Sequence, residues 1–387
     1  MGKELNNWEN GRWIGQTLEV ENGVCAVPGK PEDGTLAYND EVKAATDHLY
    51  DEVSDFIPKF EWPAYAPLVH AINTLKKEKN AVILAHNYMT PDIFSLIGDY
   101  KGDSLGLAIE ATKTDADMII QGGVHFMAET SKILCPNKKV FIPSMRAGCS
   151  LASSITGDDV RLIKERYPGI PVVTYVNTSA DVKAESTICC TSSNARAVVE
   201  HICSEWGVNK VIMLPDEFLA KNVAKQTDID VIAWHGRCEV HARFSAQDVR
   251  DMRAANPGVV VLAHPECPPE VVAESDFTGS TKAMSDYVSD NTPENVILLT
   301  ECSMSDNVAM ANPDTEFVRP CNLCPHMKRI TLENIYECLR DESNEVLVDE
   351  ETRARAYKAV MDMIEVKFEP EKTHFDPDAP EADVKVI

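Results

Sequence analysis

Cys149, Cys238 and Cys324 stand 89 and 86 residues apart. Each follows a short apolar run that ends in a turn: "KVFIPSMRAGC", "DVIAWHGRC" and "EFVRPCNLC". Cys321 and Cys324 form a CxxC, half of a ribbon-type zinc site, but the chain has no second pair at that spacing. Partners for Cys324 must therefore come from distant sequence, and the two cysteines in equivalent positions are the candidates. Three thiolates without a fourth suit an iron–sulfur cluster in which one iron is left open as a Lewis acid. Zinc is the alternative, with three cysteines and His241, His326 or His235 as the fourth ligand. Structural zinc usually takes its ligands from short local spacings, which these are not.

Other polar residues share the repeat. His86, Tyr175 and His264 are spaced 89 and 89 residues apart, as are Tyr88, Asn177 and Glu266 two positions further on. Hydroxyls follow at expected helix starts: Ser104 in "GDSLGLA", Ser192 in "TSSNARAVV", and Ser280 with Thr281 in "GSTKAMSD". The histidines His86, His241 and His264 can donate to anionic oxygens or shuttle protons. Glu266, in "HPEC", is expected to have a raised pKa that suits a general base. Tyr88 can serve as acid, base or donor to an enediolate. The neutral hydroxyls, with backbone N–H groups at helix starts, can hold phosphate or carboxylate without surface lysines.

These residues need strands to place them. Nine short apolar runs alternate with helical patterns from about residue 80: "AVILAH", "DMIIQGG", "KVFIPS", "PVVTYVN", "KVIMLPD", "DVIAWHG", "VVVLAHPE", "NVILLTE" and "EFVRP". They fall into three sets of three, a pattern of parallel α/β units. The predicted fold is three homologous three-layer α/β domains with parallel sheets, arranged with pseudo-threefold symmetry around a central cavity. Ligands in such sheets collect at the carboxyl ends of strands, where the repeated residues fall. The expected boundaries are an N-terminal extension over 1–67, domains over 68–155, 156–245 and 246–345, and a C-terminal helix with a mobile acidic tail over 346–387.

Composition narrows the function. A net charge of −25 over 387 residues argues against nucleic acid. No apolar run reaches the roughly 18 residues of a membrane span, and the start lacks the apolar stretch of a signal peptide, so a cytoplasmic protein is expected. Twelve cysteines at irregular spacing in a reducing context point to metal binding or burial and away from disulfides.

"ILAHNY", "GDSLGLA", "GVHFMAETSKIL", "YVNTSADVKAES", "CTSSNA", "AHPEC", "GSTKAM" and "CPHMKRITLEN" together resemble the quinolinate synthase family of bacterial NAD biosynthesis, over about residues 68–340. The resemblance implies a [4Fe–4S] cluster on Cys149, Cys238 and Cys324, and the condensation of iminoaspartate with dihydroxyacetone phosphate to quinolinate, phosphate and two waters. It implies that Tyr88 and Glu266, with His264, move protons. His86, Ser104, Tyr175, Asn177, Ser192, His241, His264, Glu266, Ser280 and Thr281 would hold substrate, with Phe126 and Met327 lining the cavity. An L-aspartate oxidase would supply iminoaspartate. Two other functions fit the residues less well: a zinc-dependent lyase or hydrolase on the same thiolates, and an iron–sulfur redox sensor switching through "CNLC". A sensor leaves Tyr88, Glu266 and the row of hydroxyls without a task.

Overall fold

The computed structural model describes residues 36–368 and 384–387, together with two paired two-residue strands, β1 (Trp8–Glu9) and β2 (Arg12–Trp13). Three parallel sheets follow one another along the chain. The first contains β3 (Ala81–His86), β4 (Tyr100–Gly102), β5 (Met118–Gly122) and β6 (Lys139–Phe141). The second contains β7 (Val172–Tyr175), β8 (Ile188–Cys190), β9 (Lys210–Leu214) and β10 (Asp230–Ala233). The third contains β11 (Val260–Ala263), β12 (Phe277–Thr278), β13 (Asn295–Leu299) and β14 (Glu316–Val318).

Their strand orders are the same: β4-β3-β5-β6, β8-β7-β9-β10 and β12-β11-β13-β14. All nine predicted runs are strands. Each sheet adds a short edge strand (β4, β8 or β12) that the nine runs did not include. The first two strands of each predicted set are nearly continuous apolar runs because helices cover both faces of the sheet, leaving no polar face to alternate with.

The C-terminal part differs from expectation. Helix Glu350–Glu365 packs against helices Ala180–Glu185 and His125–Leu134 and against β8, joining the first two units. Residues 369–383, which carry most of the predicted acidic tail, lie outside the described residues. The last residues are not a loose end. They form β15 (Lys385–Val386), which extends the second sheet in parallel beside β10, with Ile387 N donating to Ala233 O at 2.9 Å. "VKVI" is apolar enough at alternate positions to add to a free strand edge.

The N-terminal extension was expected over 1–67, and most of its first 35 residues lie outside the described residues. Its described part is a helix, Asp40–Thr46, and a 3₁₀ stretch, Asp47–Glu52, packed beside helix Trp62–Glu78.

Candidate active site

Each of the three cysteines sits in the same local frame. Three residues after Cys149, Cys238 and Cys324, a 3₁₀ turn begins, at Ala152, His241 and Met327. In each, the cysteine carbonyl accepts an N–H from four residues on: Ser153 at 3.0 Å, Ala242 at 2.9 Å and Lys328 at 3.1 Å. Seven residues after each cysteine stands the N-cap of the next helix, Thr156, Ser245 or Thr331, and all three close a capping box. The capping hydroxyl fixes where the helix starts, so the loop before it has little freedom. Cys321 does not occupy this frame. It is exposed, and its thiol pairs by hydrogen bond with Cys302.

Loops from the three units converge on one cavity. Its wall includes Cys149, Cys238 and Cys324 together with His86, Tyr88, Ser104, Phe126, Tyr175, Asn177, Ser192, His241, His264, Glu266, Thr281 and Met327. Ser280 is buried but does not line it; its hydroxyl caps helix Thr281–Asn291 by accepting from Ala283 N at 3.3 Å. Among the described residues, no lysine or arginine lines the wall.

At the centre is a directed hydrogen-bond chain. Glu266 is held ionised: burial pushes its carboxyl up, but His241, His264 and the bond from Tyr175 hold it well below the usual carboxylate range. This reverses the raised pKa expected from burial alone. Tyr175 Oη donates to Glu266 Oε1 at 2.5 Å, and Asn177 Nδ2 reaches the same oxygen at 3.5 Å. A carboxylate only accepts, so His241 Nδ1 carries the proton in its 2.8 Å contact with Glu266 Oε2. With the Nδ1 proton turned to Glu266, Nε2 pairs with the Thr300 hydroxyl at 2.9 Å. Thr300 Oγ1 in turn accepts from Tyr88 Oη at 2.5 Å. The order is Tyr88, Thr300, His241, Glu266. Burial and the Glu266 charge push both phenols, Tyr88 and Tyr175, well above their usual pKa, so they stay protonated donors at neutral pH.

His86 and His264 are set by a common device. The N–H two residues on donates to Nδ1: Tyr88 N to His86 at 3.2 Å, and Glu266 N to His264 at 3.3 Å. Burial drives the two histidines' pKa values down to about 4 and about 3, so both are neutral. With Nδ1 an acceptor, the proton of each ring is on Nε2. His264 stacks on His241 with ring centroids 4.6 Å apart.

Sequence reasoning missed Thr300, which follows β13 in the unremarkable "LLTECS" and is fully buried. It also missed Asp103, a buried N-cap whose Oδ2 accepts Ser193 Oγ at 2.7 Å, and Lys183, a fully buried cation 5.6 Å from the ring centroid of Phe126. The acidic N-cap position before a helix was a readable signal for Asp103. Nothing in the sequence marked Lys183 as buried.

The donor set fits a metal centre. Burial pushes the thiols of Cys149 and Cys324 up to about 12 and that of Cys238 well above its usual value; Cys149 also feels the charge of Cys324, and Cys238 that of both others. Three buried thiolates need a cation beside them. Buried polar atoms on the same wall also lack hydrogen-bond partners: Asn177 Oδ1, both oxygens of Glu239 and both nitrogens of His326. His326 Nε2 and Glu239 Oε1 lie 3.0 Å apart without hydrogen-bond geometry. Among the described residues, the ligand atoms close enough together for a single ion are those of Cys238, His241 and Glu266, mutually within 4.8 Å. The three cysteine sulfurs do not form such a close group among the described residues.

Fold and site together define a parallel α/β enzyme whose cavity joins three cysteine thiols to a carboxylate–histidine–hydroxyl chain. The profile of the Quinolinate synthetase A protein family matches residues 70–365. The chain belongs to that family. It is 61% identical over 336 residues to the quinolinate synthase of Caulobacter vibrioides strain NA1000, covering 87% of this chain and 92% of that one. It is similarly close to the quinolinate synthases of Sinorhizobium medicae (58%, 88% and 93%) and Agrobacterium fabrum (59%, 85% and 93%). No helix among the described residues is long and apolar enough to cross a membrane.

Proposed function

We propose that this quinolinate synthase condenses iminoaspartate with dihydroxyacetone phosphate to give quinolinate, phosphate and two waters, with a [4Fe–4S] cluster on Cys149, Cys238 and Cys324. The observation that carries this reading is the convergence of three cysteines, in one repeated loop frame, on the cavity that holds the Tyr88–Thr300–His241–Glu266 chain. A cluster so held supplies, when bound, an open iron that acts as a Lewis acid toward a substrate oxygen or nitrogen. The overall reaction balances without an external oxidant or reductant.

The chain's own residues handle protons and anions. Glu266, ionised at neutral pH, is the proton acceptor, with His241 bonded to its Oε2 at 2.8 Å. Tyr88, protonated at the other end of the relay, is the matching acid for a leaving hydroxyl. Thr300 joins Tyr88 to His241 and holds the phenol in place. His86 and His264 present neutral Nε2–H donors to substrate carboxylate or phosphate oxygens. Ser104, Ser192 and Thr281 stand at or near helix starts with exposed N–H groups, and Asn177 adds the amide. Neutral donors bind the anions here, which explains how a chain of net charge −25 can take two acidic substrates. Iminoaspartate is labile, so delivery from an L-aspartate oxidase is the natural supply.

Anaerobic turnover with an iminoaspartate source and dihydroxyacetone phosphate tests the reading: quinolinate and phosphate should appear in equal amounts. An iron-replete protein that makes neither overturns it. The group formed by Cys238, His241 and Glu266 favours one second reading, a mononuclear centre. Metal content separates the two, because a single ion there would survive Cys149→Ser and Cys324→Ser, whereas a cluster would not.

A further inference from the structure

In every unit the helix after the second strand of the set begins with the same contact to the cysteine loop. His125 N donates to Ala147 O at 2.7 Å, Glu217 N to Gly236 O at 2.8 Å and Cys302 N to Asn322 O at 3.3 Å. Each acceptor lies two residues before its cysteine. The residues just ahead of these helices, their N-caps, are Val124, Asp216 and Glu301. Two of the three are buried acids, and Glu301 reaches beyond its own helix.

Glu301, fully buried, accepts Ser303 N at Oε2 (2.9 Å) and the peptide N–H of Cys324 at Oε1 (3.3 Å). Lys328 Nζ lies 3.0 Å from the same Oε1 and donates to Tyr88 O at 3.2 Å. Asp216, also buried, caps its helix through Oδ1, which accepts Leu219 N at 2.7 Å. Its Oδ2 has no hydrogen-bond partner. Val124 has no group to offer Cys149. That loop is tied sideways instead: Ser150 Oγ donates to Arg237 O and accepts Glu239 N, both at 3.2 Å, bracketing Cys238.

A helix N-cap normally serves only its own first turn. A buried acid that also takes the N–H of a cysteine fixes that residue's backbone, and with it the direction of the thiol. We infer that Glu301 is a positioning residue for Cys324, clipping its loop from the next helix start, while the Cys149 and Cys238 loops are tied to each other through Ser150. The inference rests on these cysteines being the metal ligands. It predicts an asymmetry among three otherwise equivalent thiols.

The test uses the anaerobic holoprotein, treated with a ferrous chelator in the presence of an alkylating reagent, with each cysteine quantified by mass spectrometry. In Glu301→Ala, alkylation of Cys324 should rise about tenfold relative to Cys149 in the same sample, the scale of one lost hydrogen bond to a charged group, with Cys238 unchanged. Glu301→Gln keeps an acceptor oxygen and the helix cap, so it should restore the ratio to within about threefold of wild type; it also carries the test if the alanine variant does not fold. Asp216→Ala, which removes the matching buried cap of the second unit, should leave Cys324 unchanged. Asp349→Ala, which removes the N-cap of helix Glu350–Glu365 away from the cavity, controls for cap loss and should leave the ratios unchanged. An equal rise at all three cysteines, or none at the clipped one, overturns the inference. If the wild type takes up no iron, the cluster reading fails. The same ratios measured on that metal-free protein still decide the clip.

Discussion

Thr300→Val probes the relay at its least obvious member. The hydroxyl is fully buried and sits between two groups that the chemistry requires, 2.5 Å from Tyr88 Oη and 2.9 Å from His241 Nε2. Valine keeps the shape and removes both bonds. Tyr88 Oη is already 3.5 Å from His241 Nε2, so a small shift recovers one direct bond, and the net loss is about one buried hydrogen bond. That costs about 1–3 kcal/mol. If the transition state needs Tyr88 held in place, the whole cost falls on turnover, which drops by roughly 10- to 100-fold at about 1.4 kcal/mol per tenfold. Thr300→Ser should restore most of it. The assay is anaerobic quinolinate formation normalised to iron content, with melting temperature measured in parallel. A valine variant that keeps its iron and turns over within about twofold of wild type refutes the relay, even if it melts earlier.

Glu266→Gln and Tyr88→Phe should each keep the cluster and lose about 10²-fold or more in turnover, the usual scale for a general acid or base, read in the same assay. Cys149→Ser, Cys238→Ser and Cys324→Ser should each abolish a stable cluster, whereas Cys321→Ser, changed at an exposed thiol off the cavity, should show normal iron and sulfide on analysis. Acid should weaken the fold through His86 and His264. Their folded pKa values of about 4 and about 3 lie below the unfolded value of about 6.5, so the unfolded chain takes protons first, and the stability they contribute falls as pH drops below 6.5. The loss is about 2 kcal/mol each at pH 5. Urea midpoints at pH 7 and pH 5 check it, and His86→Gln should shrink the difference by about half; an unchanged difference would show that His86 is not buried neutral.

The sheets were legible because two of the three main strands in each are buried on both faces and so read as unbroken apolar runs, as in "AVILAH" and "NVILL". Edge strands such as "YKG" and "FT" were not, since two or three residues carry no period. The cysteines and the His86, Tyr88 and Glu266 positions were visible because repetition turned single residues into a pattern. Thr300 and Lys183 have no counterpart in that pattern, and their roles come from neighbours distant in sequence. Glu266 was placed correctly but given the wrong electrostatics: burial alone raises a carboxyl, and only the structure puts His241 and Tyr175 on its oxygens. The last four residues were read by composition along with the acidic stretch before them, although their own alternation marks a strand.

The separation of the cysteine loops has a consequence for how the protein is made. Each thiol belongs to a different unit, and each is aimed by a helix start seven residues further on, at Thr156, Ser245 and Thr331. A ribosome must therefore release the chain well past residue 331 before the last thiol can take its direction. Until then no segment offers more than two of the three sulfurs. If these cysteines hold the proposed cluster, its loading would be the closing event of maturation, performed on a chain already folded in all three parts, and the iron would have to reach a cavity rather than an open strand.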